Sequence, residues 1–97
     1  MSIDIITPEQ YITVIRSSGW RVILASAPWC QACKSVKPKL PSLNAPTYVI
    51  DVEAVEEFAD AEHVTKLPTI FVYKDGHPKL KHEGADLTAV ASLVNGP

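Results

Sequence analysis

The chain has 97 residues, of which 46% are hydrophobic and 21% charged, and its formal net charge is −2. That length predicts one domain, residues 1–97, able to bury a core without metal or disulfide staples, and the composition is that of an ordinary soluble globular protein. The near-neutral charge gives no reason to expect nucleic acid or an anionic membrane as partner, and no apolar run approaches the roughly 18 residues of a membrane span.

The opening stretch Met1-Ser2-Ile3-Asp4-Ile5-Ile6 has no basic segment followed by a hydrophobic one. A secretory leader is therefore not expected, and a cytoplasmic location is. Ser2 to Ile6 is short and β-branched, as an edge strand would be. Helix-start signals follow: Thr7 as N-cap, Pro8 at the first helical position, Glu9 in the first turn and Gln10 to close a capping box. Tyr11, Ile12, Val14 and Ile15 recur at helical spacing, and Ser17-Ser18-Gly19 ends the element. Val22-Ile23-Leu24-Ala25 is apolar without alternation, which predicts a central strand covered on both faces.

A helix is predicted from Gln31 to about Leu40, with Pro38 kinking or interrupting it by removing a backbone donor. Thr47 to Val52 reads as a second buried strand. Glu53 to about Ala61 reads as a short amphipathic helix with Val55, Phe58 and Ala59 on one face. Thr69 to Lys74 is a strand, and Asp75-Gly76 signals a tight hairpin into an antiparallel partner at about Pro78 to Glu83. Asp86 is the expected cap of a last helix, whose Leu87, Val90, Ala91 and Val94 share a face. Two strand-helix-strand crossovers imply parallel neighbours, and the hairpin adds antiparallel strands to the same sheet. The expected architecture is a three-layer α/β/α sandwich around a mixed sheet.

The chain's two cysteines are Cys30 and Cys33, placed where a strand passes into a helix. A reducing location disfavours a structural disulfide and tilts such a pair toward redox or metal chemistry. With Cys30 at the cap, its sulfur faces the free N–H groups of the first turn and the positive end of the helix dipole, which favours thiolate over thiol. Lys34 and Lys37 follow on roughly the same face and add favourable charge; with Lys39 they also read simply as a solvated face. Cys33, one turn inside, is the less accessible thiol. In this reading Cys30 attacks a partner disulfide and Cys33 resolves the mixed disulfide. Zinc would need two further ligands, and His63, His77 and His82 lie far along the chain without paired-ligand spacing, so no metal is expected. A cysteine hydrolase is disfavoured by the second cysteine. Pro68 precedes a buried strand, where it is a loop terminator or a cis Leu67-Pro68 bond presenting Leu67 backbone groups beside the cysteines.

Taken together, these residues resemble the thioredoxin family. Trp29-Cys30-x-x-Cys33-Lys34 matches its W-C-x-x-C-K motif, and Pro38 its helix-kinking proline. Leu67-Pro68-Thr69 looks like its cis-proline loop, Phe71 to Gly76 like its F-x-x-x-x-G hairpin, and Gly84-Ala85 falls at its small Gly-Ala step. The resemblance runs from about Val22 to the C-terminus. It implies Cys30 as nucleophile, Cys33 as resolving thiol, and Trp29, Leu67, Pro68, Gly84 and Ala85 as the docking surface. The implied activity is reduction of protein disulfides by a monomer holding no bound cofactor beyond its redox-active Cys30–Cys33 disulfide. Electrons would come from an NADPH-dependent thioredoxin reductase, in a role in electron transport and cell redox homeostasis.

Three departures bear on tuning. The family's Gly-Pro between the cysteines is Gln31-Ala32 here, its buried aspartate six residues before the first cysteine is Leu24 with an apolar residue near Val49 in place of the partner lysine, and Ser26 stands where it has tryptophan. The expected consequences are a less reducing potential, slower resolution by Cys33 and a more polar, less covered surface at Ser26. A glutaredoxin-like reductase is the nearby alternative, disfavoured by the Trp29-Cys30 start. A binding or assembly subunit whose cysteines are dispensable is the alternative of a different class.

Overall fold

The computed structural model describes residues 2–5 and 7–96. Five strands and four α-helices alternate: β1 (Ser2–Ile5), α1 (Pro8–Arg16), β2 (Trp20–Ser26), α2 (Gln31–Val36), β3 (Thr47–Asp51), α3 (Glu56–Ala61), β4 (Thr69–Lys74), β5 (His77–Glu83) and α4 (Thr88–Asn95). A 3-10 helix, Lys37–Ser42, continues α2. Ile6, expected in the first strand, lies outside the described residues.

The strands form one sheet in the order β1-β3-β2-β4-β5. β3 is parallel to both β1 and β2, whereas β4 is antiparallel to β2 and to β5. The mixed three-layer sandwich stands as expected, but only the second crossover joins neighbouring strands. β3 inserts between β1 and β2, so that the seven-residue β2 is flanked by β3 and β4 while helices cover both its faces.

Alternation along β2 divides the core. Ile23 and Ala25 face one side with Ile5, Tyr11, Val14, Ile50, Val55, Phe58, Phe71 and Tyr73, covered by α1 and α3. Val22 and Leu24 face the other with Val36, Leu40, Val49, Ile70, Val72, Val90 and Val94, covered by α2, the 3-10 helix and α4. On the first side Phe58 meets the rings of Tyr11 and Phe71 edge-on, with centroids 5.1 and 5.2 Å away. Each such pair contributes about 0.5–1.5 kcal/mol beyond area burial.

The starting signal of α1 is realised in full. The Thr7 hydroxyl accepts from the Gln10 N–H at 3.2 Å, and the Gln10 side-chain oxygen accepts from the Thr7 N–H at 3.0 Å. Ile12, expected on the buried face, is 37% exposed, since the stripe that faces the sheet is Tyr11 and Val14. The hairpin forms as expected, with Asp75 and Gly76 at φ 53° and 83°. Asp75 also accepts from the Gly19 N–H at 2.6 Å, which pins the hairpin to the turn before β2.

Three boundaries differ from expectation. α2 stops at Val36, and the chain tightens into a 3-10 helix carrying Pro38 and Pro41, whose missing N–H groups cannot continue an α-ladder. α3 starts at Glu56 rather than Glu53, because the Asp51 carboxylate accepts from the Glu53 N–H at 2.8 Å and holds a turn first. Asp86 sits one residue ahead of the helical cap, which is Leu87; its carboxylate accepts from the Thr88 N–H and hydroxyl. Those bonds, with the charges of His82 and Lys39 nearby, hold the Asp86 carboxyl below its ordinary value.

Candidate active site

The carboxyl end of β2 delivers the chain to a tight turn in which the Cys30 N–H donates to the Ala27 carbonyl at 3.1 Å. Cys30 is the N-cap of α2, as expected from the sequence. Its sulfur accepts from the Cys33 N–H at 3.2 Å, and its carbonyl accepts from the Lys34 N–H. A donor of the open first turn is therefore aimed at the sulfur that would carry negative charge in the reduced protein. The two cysteines are joined as a disulfide with Cα atoms 5.3 Å apart. Burial separates them as the spacing suggests: Cys30 is 5% exposed and Cys33 not at all. Cys33 Sγ lies 3.9 Å from the Ala25 carbonyl oxygen.

Around this pair the sheet assembles the other expected residues. β4 begins beside the end of β2, with Thr69 opposite Ala25, and β5 ends beside the start of β4, with Glu83 opposite Thr69. The Leu67-Pro68 loop, Gly84-Ala85 and the segment leading to Cys30 therefore meet at one end of the sheet. Leu67-Pro68 is cis, as the functional reading of that proline required, and the Pro68 carbonyl accepts from the Gly84 N–H at 2.9 Å. Gly84 has φ 119°, a backbone state that side chains rarely tolerate, so the small residue there answers to geometry. Ala85 also packs against the α2/α4 core.

Trp29 is 65% exposed, and its indole N–H donates to Glu53 at 2.9 Å. In the sequence Glu53 stands only as the start of the expected third helix. Its signal was present only as an acid in a run of acids, and nothing along the chain says that the turn held by Asp51 carries it back to Trp29. Gln31 and Ala32 are exposed at the first two helical positions. Leu24 and Val49 are direct cross-strand partners in the apolar row, so both members of the family's buried pair are apolar here.

Ser26 differs from its expected setting. It is 5% exposed, no surface residue, and it lines a cleft together with Asp4, Ala27, Lys34, Lys37 and Asp51. Lys34 and Lys37 accordingly face this cleft. His63 follows α3, whereas His77 and His82 lie on β5. Among the described residues no three His, Cys, Asp or Glu side chains gather as a metal site would require, and no helix is long and apolar enough to cross a membrane.

A cysteine capping a helix at 5% exposure, disulfide-bonded to a wholly buried one a turn later beside a cis-proline loop, defines a thiol–disulfide oxidoreductase on an α/β sandwich. The comparisons with known proteins narrow this. The Thioredoxin family model matches residues 2–95, and the chain belongs to the thioredoxin family. It is 38% identical over 79 residues to Thioredoxin H-type of Chlamydomonas reinhardtii, covering 75% of this chain and 70% of that one. With Thioredoxin-1 of Saccharomyces cerevisiae it shares 25% over 93 residues, covering 91% and 90%. The oxidised form of mitochondrial thioredoxin 3 from Saccharomyces cerevisiae superimposes with a TM-score of 0.87 at 26% identity, covering 97% and 93% of the two chains. Membership carries the activity of a protein-disulfide reductase, and the redox-active group is the Cys30–Cys33 couple.

Proposed function

We propose that the protein reduces disulfides of other proteins with Cys30 as nucleophile and Cys33 as resolving thiol. The observation that carries this is the asymmetry of the pair: the Cys33 N–H is aimed at Cys30 Sγ, while Cys33 itself is sealed beneath the helix. In the reduced protein the Cys30 thiolate attacks one sulfur of the target and displaces the other, leaving a mixed disulfide. Cys33 then attacks Cys30, the target leaves as its second thiolate, and the Cys30–Cys33 disulfide closes. Two electrons pass to the target. Trp29, Leu67, Pro68, Gly84 and Ala85 form the docking surface, and Glu53 fixes the Trp29 ring through the indole N–H. Gln31, Ala32, Leu24 and Lys34 set the potential and rate.

Electrons return from a thioredoxin reductase fed by NADPH, and the protein works as a monomer in the cytoplasm, within electron transport and redox homeostasis. The test is insulin reduction, first with dithiothreitol and then with NADPH and a reductase. Turnover is expected in both, with Cys33→Ser trapping a covalent complex through Cys30, seen by mass spectrometry. A Cys30→Ser/Cys33→Ser protein that keeps its cellular role would assign the chain to assembly instead of electron transfer.

A further inference from the structure

The resolving thiol must lose its proton before it attacks, and Cys33 is wholly buried. Among the described residues the centre of the sheet row beneath it carries no base. Val49, Leu24 and Ile70 stand in register across β3, β2 and β4, and the titratable members of that row are at its far ends, Asp4 beside Val49 and His82 beside Ile70. Two residues further along the strands the character changes. Ser26 and Asp51 are direct cross-strand partners, and both line a cleft of about 360 Å³. The cleft sits at the carboxyl ends of the three parallel strands, where open α/β sheets place their functional groups.

Ser26 lines the cleft and neighbours the thiol through its backbone. The Ala25 carbonyl that contacts Cys33 Sγ belongs to the peptide unit it shares with Ser26. Ser26 is 95% buried by its 5% exposure, and among the described residues its hydroxyl has no hydrogen-bond partner. A hydroxyl that both donates and accepts can relay a proton. Asp51 is half-buried behind it. One of its oxygens accepts from the Glu53 N–H, and the other has no hydrogen-bond partner among the described residues. The groups facing Asp51 are Lys34 from α2, Lys37 from the 3-10 helix, Asp4 from β1 and Glu53 on its own turn. None of them closes an ion pair with it among the described residues.

We propose that Ser26 and Asp51 form the proton exit for Cys33, with Ser26 as relay and Asp51 as acceptor across water in the cleft. This rests on Cys33 being the resolving thiol. The Cys33 proton passes to the Asp51 carboxylate through the Ser26 hydroxyl. The sulfur's electron pair forms the bond to Cys30, and the bond from Cys30 to the target sulfur breaks. The target leaves as a thiolate and takes a proton from solvent. No outside oxidant or reductant enters.

The test is single-turnover reduction of insulin between pH 5 and 9, acid-quenched so that mass spectrometry counts the mixed disulfide, in the parent and in Asp51→Asn, Ser26→Ala and His82→Asn. Asparagine keeps the acceptor for the Glu53 N–H, so the turn survives. Asp51→Asn and Ser26→Ala are expected to accumulate mixed disulfide and to resolve it about 10–100-fold more slowly below pH 7, with a rate that rises tenfold per pH unit. His82→Asn should overlay the parent. Profiles of Asp51→Asn and Ser26→Ala that coincide with the parent's overturn the proposal, as does a shift produced by His82→Asn instead. If Asp51→Asn does not fold, Ser26→Ala decides alone, since it removes one oxygen from a folded strand. A parent that reduces no insulin disulfide defeats the functional reading together with this one, whereas unchanged variants defeat this one only.

Discussion

Replacing Leu24 by aspartate puts the family's buried acid into a chain that has dispensed with it. Leu24 has no exposure and lies between Val49 and Ile70 in an apolar row. A carboxyl there meets no described donor, so desolvation should raise its pKa by about 3 units from an unfolded value of ~3.9. The sign follows from linkage. The folded state holds its proton where the unfolded state has lost it, so stability falls as pH rises above the unfolded value and levels off above the folded one. At about 1.4 kcal/mol per unit, Leu24→Asp should lose on the order of 2–3 kcal/mol between pH 5 and pH 8 that the parent does not lose. A second change, Val49→Lys, puts an ammonium directly opposite and should remove most of this dependence, because a paired charge costs less than a lone one. Urea denaturation of the parent, Leu24→Asp and Leu24→Asp/Val49→Lys at the two pH values measures each term. Parallel pH dependences in the parent and Leu24→Asp would refute the reasoning, since they would mean that water reaches position 24. The same variant should speed resolution by Cys33 by supplying a base, which stopped-flow kinetics would read directly.

Other outcomes follow from the same structure. Phe58→Ala removes the ring that Tyr11 and Phe71 both contact edge-on and should cost about 3–5 kcal/mol in denaturant melts, with the cavity as the main cause. Burial and the bond from its hydroxyl to Glu62 push the Tyr73 phenol well above its ordinary value. Ionisation in the unfolded chain then draws the equilibrium toward unfolding above about pH 10, so a 295 nm titration should show this phenol ionising only as the fold is lost, and earlier ionisation would disprove the contact. Gln31→Gly/Ala32→Pro should make the couple more reducing, on the order of 30 mV or about 1.4 kcal/mol. Proline is tolerated at the second helical position, where the N–H is free of the helical ladder. Electrons accumulating on the double variant when it is equilibrated with the parent would contradict this.

Local and near-local signals carried much of the molecule. The Thr7–Gln10 box and the Asp75-Gly76 turn are decided by neighbours three residues apart or fewer, and both formed as read. Cys30 as cap and Cys33 as the buried thiol follow from a spacing of three on a helix, so the reacting pair was legible without the fold. The unbroken apolar run of β2 announced a strand covered on both faces. What sequence could not settle was distance between segments. The insertion of β3 between β1 and β2 depends on which strands bury β2 best, a competition among pieces far apart in the chain. Glu53 was an acid among acids until a turn held by Asp51 brought it to Trp29, and Ser26 read as a surface substitution until register set it against Asp51 on the wall of a cleft. Chain-local periodicity thus determined the elements and the thiol pair. Cross-strand register and the turn after β3 decided which polar groups surround them, because both are properties of packing between segments and leave no mark on either one separately.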